Sequence, residues 1–230
     1  MGILYIVATP IGNLQDITLR AIKTLQSVDA IACEDTRKTG FLLQRIFPQR
    51  PKPRLISYYE QNELQRIPEI INALKNGLNV ALVSDAGTPI VSDPGFKLVR
   101  EAIREGIKVE SIPGPSSVIS ALTVSGLPTD KFLFLGYPPR KPGHRIKFFQ
   151  KITPSLSSVG VTAILFESPH KLIRTLEEMK EVFGDIDIVI CRELTKIHEE
   201  IRREKVSQSL DHFTKVAPKG ESVILFHLES

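Results

Sequence analysis

Cysteine is scarce: Cys33 and Cys191 are the only two, and they lie far apart in sequence. That excludes a disulfide-stapled scaffold and reads as two reduced, buried thiols. Long apolar runs are missing. None approaches the roughly 20 residues that cross a bilayer, so no membrane partner is expected. The N-terminus, Met1-Gly2-Ile3-Leu4-Tyr5, has no basic segment and enters a strand directly, so no export signal and a cytoplasmic location are expected. None of the five histidines sits at metal-ligand spacing from another histidine or a cysteine, and no metal is expected. The first strand is followed by a single glycine rather than Gly-x-Gly-x-x-Gly, and no Walker loop occurs, which argues against NAD and ATP. Internal repeats and low-complexity tracts are also absent.

What is present describes a globular protein. Hydrophobic residues make up 42% and charged residues 24% of 230 positions, enough for one large core or two smaller ones. The net charge of +4 is small, but its distribution is uneven. Six Lys or Arg residues and His144 fall between Lys131 and Lys151 with no carboxylate among them, and Arg37, Lys38, Arg45, Arg50, Lys52 and Arg54 form a second cluster. Two basic clusters beside candidate site loops suit a nucleic acid; taken singly, each suits a solvated surface.

The first half alternates strands and helices. Strands are expected at 4–8, 30–33, 55–58, 80–83 and 109–112. Asp16 is expected to cap the first helix, and Gly77 and Gly106 to end later ones. Such alternation predicts a parallel sheet with right-handed crossovers. After Pro113-Gly114-Pro115 an apolar helix leads to strands at 132–135, 161–166, 186–190 and 223–226, which predicts a mixed sheet. The expected fold is α/β with two α/β domains, 1–114 and 115–230.

Every strand of the first half ends in polar or glycine-containing sequence, and parallel strands bring those ends to one edge. The fourth strand runs into Ser84-Asp85-Ala86-Gly87-Thr88-Pro89-Ile90-Val91-Ser92-Asp93-Pro94-Gly95, where glycine permits close backbone approach and proline sets direction. This constrained loop is the leading candidate for a ligand wall, against the plainer reading of a strand-to-helix turn.

That loop, together with Val7-Ala8-Thr9-Pro10-Ile11-Gly12-Asn13-Leu14, Glu34-Asp35-Thr36-Arg37, Ile112-Pro113-Gly114-Pro115-Ser116-Ser117, Phe166-Glu167-Ser168-Pro169-His170 and Arg192-Glu193-Leu194-Thr195-Lys196, resembles the bacterial ribosomal RNA small-subunit methyltransferase I family, within the tetrapyrrole methylase superfamily. The resemblance runs from about residue 3 to the C-terminus. It implies S-adenosylmethionine bound in a cleft between two domains, a homodimer, and methylation of a cytidine ribose 2′-hydroxyl in the decoding region of small-subunit ribosomal RNA, with the RNA or the small subunit as partner. Carried over by motif, Pro10, Gly87, Thr88, Ile90, Val91, Ser116 and Ser117 border the cofactor, Phe166 takes the adenine side, and Asp85 orients the cofactor or stabilises its own loop.

Methyl transfer to a weakly acidic hydroxyl needs alignment and a group to take the proton. Glu34 and Asp35 are candidate base and orienting group, with Arg37 beside them; salt bridges to Arg37 and Lys38 are the structural alternative. Lys38 is a candidate phosphate ligand, as is Arg37. Tyr137-Pro138-Pro139-Arg140-Lys141-Pro142-Gly143-His144-Arg145 reads as a stiff basic loop that clamps RNA through Arg140, Lys141 and Arg145, with Tyr137 available to stack on a base. Arg192, Glu193 and Lys196 are read as a charged network or plain surface, and Phe148 and Phe149 as core.

Two departures from the family pattern stand out. Relatives carry histidines where this chain has Tyr59-Glu60-Gln61-Asn62-Glu63, and many continue beyond the position of Ser230 into a further small domain. The competing functions are a tetrapyrrole or other small-molecule methylase and a non-catalytic ribosome-associated binding protein.

Overall fold

The structure, a computed structural model, describes residues 1–49 and 52–228; Arg50 of the second basic cluster and Ser230 lie outside them. The chain divides into two compact units, Met1–Ser116 and Ser117–Ser230.

The first unit is a five-stranded parallel sheet in the order β3-β2-β4-β1-β5, built from β1 (Ile3–Val7), β2 (Ala30–Cys33), β3 (Arg54–Ser57), β4 (Val80–Val83) and β5 (Lys108–Ile112). The intervening helices are α1 (Leu19–Ser27), α2 (Thr36–Ile46), α3 (Glu63–Lys75) and α4 (Phe96–Arg104). The alternation of side chains along each strand fills both faces. Leu4, Ala30, Ala32, Val80 and Leu82 pack with Ile70, Ile71 and Leu74 of α3 and Leu98 and Ala102 of α4. Their neighbours Val7, Ile31, Cys33, Ala81 and Val83 pack with Ala21 and Leu25 of α1 and Leu43 of α2. Right-handed crossovers explain the division: the chain steps one way across the sheet through α1 and α2, then the other way through α3 and α4.

The second unit holds a mixed sheet in the order β6-β7-β10-β8-β9. Its strands are β6 (Phe132–Phe134), β7 (Thr162–Glu167), β8 (Asp187–Arg192), β9 (Glu200–Lys205) and β10 (Ser222–His227), and only the β6–β7 pair is parallel. Phe149 and Leu156 of α6 (Pro142–Val159), Leu172, Leu176 and Met179 of α7 (Leu172–Phe183) and Phe213 of α8 (Val206–Lys215) close one core with Leu165, Ile190 and Ile224. Helix α5 (Ser117–Ser125) lies against β10.

The two α/β domains with one parallel and one mixed sheet are as expected. Several local expectations are not. Thr18, not Asp16, caps α1 by accepting from the Ala21 amide, because Leu14–Asp16 is already a 3-10 turn capped by Asn13. Strand β9 escapes a reading by pattern, since Glu-Ile-Arg-Arg-Glu-Lys has one apolar residue. It is an edge strand, and charge at an edge blocks pairing with another chain. The basic loop is shorter than expected: α6 starts at Pro142, where a proline lacking an amide hydrogen costs the helix nothing.

That last difference moves Arg145 inside. Its side chain is 1% exposed, is paired with Glu178 of α7, and is the largest fully buried side chain among the described residues. A guanidinium enclosed this way cannot reach an RNA phosphate, so Arg145 leaves the RNA clamp. Arg140 and Lys141 stay exposed just before the helix. Both cysteines are buried free thiols; burial pushes Cys191 up to about 12 and raises Cys33, which keeps them protonated and unreactive.

Candidate active site

The carboxyl ends of β1, β4 and β5 are laced together by their loops. Thr9 and Gly87 exchange backbone hydrogen bonds of 2.9 and 3.0 Å, an antiparallel bridge added beyond two parallel strands. The Thr9 hydroxyl donates to the Ser84 carbonyl at 3.3 Å, and the Thr88 hydroxyl donates to the Pro115 carbonyl at 3.0 Å. Gly87 turns with φ +80°, and a Cβ there would meet Ile11 at 3.3 Å. Ile90 (φ 76°) and Ser92 (φ 65°) also occupy the left-handed region. A β-branched residue held at positive φ is strained backbone, and such strain collects where a loop serves a ligand. Pro10 is buried, Ser116 is half-buried before α5, and Val91 is 41% exposed.

Beside this wall, at the ends of β2, β3 and β4, lies a cleft of about 540 Å³ whose lining includes Glu34, Asp35, Arg37, Tyr59, Asp85 and Asp93, along with Ser57, Glu60, Gln61 and Ser92. Its carboxylates have different tasks. Asp35 caps α2 by accepting from the Arg37 amide at 2.8 Å, and its two oxygens also take Arg37 Nε at 3.0 Å and Nη2 at 2.7 Å. Those bonds, first to the Arg37 side chain and then to its backbone, hold the Asp35 carboxyl far below the usual range. Clamped by Arg37 and engaged in the helix cap, Asp35 fits the orienting or salt-bridged place in the expected pair rather than that of the base. Asp85 accepts from the Asp35 amide at 3.1 Å and from Lys38 Nζ at 2.7 Å. It therefore locks the β4 loop to the start of α2, and its hydrogen bonds raise the pKa of Lys38. Glu34 is half-buried, directly after β2, and lines the cleft.

Strand-end logic places Glu34, Asp35, Arg37 and Asp85 together, and they are together. The same logic points to the polar end of β3, and Ser57, Tyr59, Glu60 and Gln61 do line the cleft, although the sequence assigns none of them a role. The segment is held by Asn62, whose side chain accepts from the Tyr59 amide at 2.8 Å and donates to the Ser57 carbonyl at 3.1 Å.

In the second unit, Phe166 on β7 meets Phe134 and Tyr137 edge-on, with ring centroids 4.9 and 5.5 Å apart. Tyr137 donates its hydroxyl to Glu221 at 2.9 Å. Ser117 opens α5. Arg192 is mostly buried, donating to the Lys219 carbonyl at 2.9 Å and to Glu200 at 2.6 Å, so it is a structural strut of the β8–β9 edge. Glu193 and Lys196 pair at 2.8 Å on the turn that follows.

The chain has known relatives. The sequence profile of the tetrapyrrole (corrin/porphyrin) methylases matches residues 3–209. The ribosomal RNA small subunit methyltransferase I of Thermotoga maritima is 48% identical over 225 residues, which is 98% of each chain. The chain belongs to the ribosomal RNA small subunit methyltransferase I family of tetrapyrrole methylases. Another relative in this methyltransferase family, from Mesorhizobium japonicum, is 49% identical over 96% of this chain and 74% of its own. Two solved structures share the tetrapyrrole methylase fold at low identity. Diphthine synthase has a TM-score of 0.73 at 17% identity and covers 98% of this chain and 90% of its own. Cobalt precorrin-4 methyltransferase has a TM-score of 0.70 at 19% identity, with 97% and 94% covered.

Proposed function

We propose that the protein is an S-adenosylmethionine-dependent methyltransferase that modifies the ribose 2′-hydroxyl of a cytidine in small-subunit ribosomal RNA. The observation that carries this reading is near-full-length identity of 48% to a ribosomal RNA methyltransferase, combined with a carboxylate-lined cleft beside a laced, strained loop.

The β1, β4 and β5 ends fit an amphipathic methyl donor. They offer backbone groups near the Gly87 turn, apolar surface from Ile90 and Val91, and the Ser116 hydroxyl, with Pro10 fixing the chain's path. S-adenosylmethionine, when bound, supplies a methyl group activated by its sulfonium charge. Glu34 would take the proton that the acceptor hydroxyl gives up on methylation. Asp85, held between Lys38 and the Asp35 amide, keeps the cofactor loop and α2 in register. The cleft admits a nucleoside, whose hydroxyls and amino group hydrogen-bond with carboxylates, and repels phosphate from Asp85, Asp93 and Glu60.

Cofactor binding to the folded state alone stabilises it. At 100 times the dissociation constant, S-adenosylmethionine or its demethylated product is expected to add about 2.7 kcal/mol, read as a raised melting temperature. No shift at saturation overturns the cofactor. Incubation with unmethylated small subunits is expected to yield 2′-O-methylcytidine on nucleoside analysis; a methylated base in its place contradicts the ribose assignment.

Arg140 and Lys141 form the exposed basic approach that remains once Arg145 is removed. Replacing both with Gln is expected to reduce the slope of log affinity against log salt by about 1.4, roughly 0.7 per single-strand phosphate contact. An unchanged slope removes these two residues from the interface.

A further inference from the structure

Helix α2 runs Thr-Arg-Lys-Thr-Gly-Phe-Leu-Leu-Gln-Arg-Ile and contains three cations and no carboxylate. Arg37, Phe41 and Arg45 recur at four-residue spacing and therefore share one face. The opposite face anchors the helix through buried Thr39 and Leu43. Phe41 is thus not needed for packing: 53% of it is exposed, and the Arg45 guanidinium stands 5.0 Å from its ring centroid. Phe41, Gln44, Arg45 and Pro48 line a second cleft of about 400 Å³. Arg37, at the other end of this face, lines the acidic cleft, is 89% exposed, and spends two of its five N–H donors on Asp35.

The charges of the two neighbouring clefts are opposed. One is lined by five carboxylates, Glu34, Asp35, Glu60, Asp85 and Asp93, against a single lining cation, Arg37, and the other by an aromatic ring and an arginine. A polynucleotide that puts a target nucleoside among five carboxylates must carry its adjoining phosphates on a surface of the other sign. The outer face of α2 is that surface, and it also offers a ring. An exposed aromatic with a guanidinium over it is a stacking platform for an unpaired base, and arginine planes stack on bases themselves.

We propose that the exposed face of α2 binds the single-stranded RNA next to the target nucleotide, with Phe41 and Arg45 stacking one flanking base and Arg37 and Arg45 holding its phosphates. The assignment rests on the RNA methyltransferase reading above. It makes α2 the element that decides which unpaired segment is presented, because the acidic cleft excludes the backbone and α2 accepts it.

The test uses the full chain, a fluorescent single-stranded RNA of about ten nucleotides with a central cytidine, and purified unmethylated small subunits. Phe41→Ala is expected to weaken affinity for the oligonucleotide about 5- to 150-fold, the range for loss of one stacked base. It should raise KM for small subunits with kcat little changed, and leave melting temperature and the cofactor-induced shift as in the wild type. Phe41→Trp is expected to restore binding, and Arg45→Gln to weaken it and flatten its salt dependence. Wild-type affinity in Phe41→Ala overturns the proposal. So does a loss seen with whole subunits but not with naked RNA, which assigns the patch to a ribosomal protein. A changed sedimentation coefficient in Phe41→Ala likewise overturns it, by assigning the patch to contact between copies of the chain. A wild-type protein that transfers no methyl group to RNA sinks the function itself; an active wild type with a silent Phe41→Ala sinks this surface alone.

Discussion

Glu34→Gln is expected to lower kcat by about 10²- to 10⁴-fold, the usual contribution of a positioned general base. The substitution keeps the shape of the side chain and one hydrogen-bonding oxygen but removes the ability to take a proton. KM for the subunit and the cofactor-induced thermal shift should stay near wild type, because a loss confined to the transition state leaves ground-state binding intact. Asp35→Ala makes the useful contrast, since alanine has no side-chain oxygen to cap the helix. Asp35 caps α2 and is clamped by Arg37, so its replacement should show first as reduced stability, about 1 kcal/mol for a lost helix cap. Equal turnover in Glu34→Gln and wild type would remove Glu34 as the base and leave the cleft with a positioning role only.

Arg145→Met carries the largest expected cost to stability. It strands Glu178, whose side chain is 7% exposed, with Arg174 at 3.6 Å as its other cation. Breaking a buried pair from one side costs about 3–5 kcal/mol. At about 2–4 °C per kcal/mol for a chain of this size, the melting temperature should fall by roughly 6–20 °C. The double change Arg145→Met with Glu178→Met should recover most of the loss, since apolar side chains of similar volume replace such a pair at little cost. RNA affinity measured below the transition should not move. A normal melting temperature with weakened RNA binding would return Arg145 to the interface.

Arg145 also shows where reading the chain fell short. Between Lys131 and Lys151 every charge is positive, and along the chain Arg145 looks like its neighbours Arg140 and Lys141. Its partner is Glu178, 33 positions away on α7. No local pattern encodes that pairing, because it depends on how α6 packs on α7. The same holds for Asp85, a polar residue at a strand end whose partners Asp35 and Lys38, 50 and 47 positions away, tie the β4 loop to α2. The Asp35–Arg37 bridge, by contrast, is local and was legible in the chain as one of two readings. Strand β9 was missed for a related reason: an edge strand needs only one neighbour, and its charged sequence carries no buried periodicity.

By itself the sequence determined the alternation of strands and helices, the parallel and mixed sheets, the family, and the strand ends that carry the chemistry. Those are local properties: apolar periodicity, turn residues and motifs spell out the buried elements, and parallel pairing gathers the ends without further information. Only the tertiary structure decided which charges are free to act. Ser84–Gly95 became a laced wall through Thr9 and Pro115, Asp85 was tied to Lys38 and the Asp35 amide, Arg145 was buried, and Phe41 was left in solvent. Electrostatic and packing energies depend on distance and burial, and two residues far apart in the chain acquire both only when the helices and strands between them have folded.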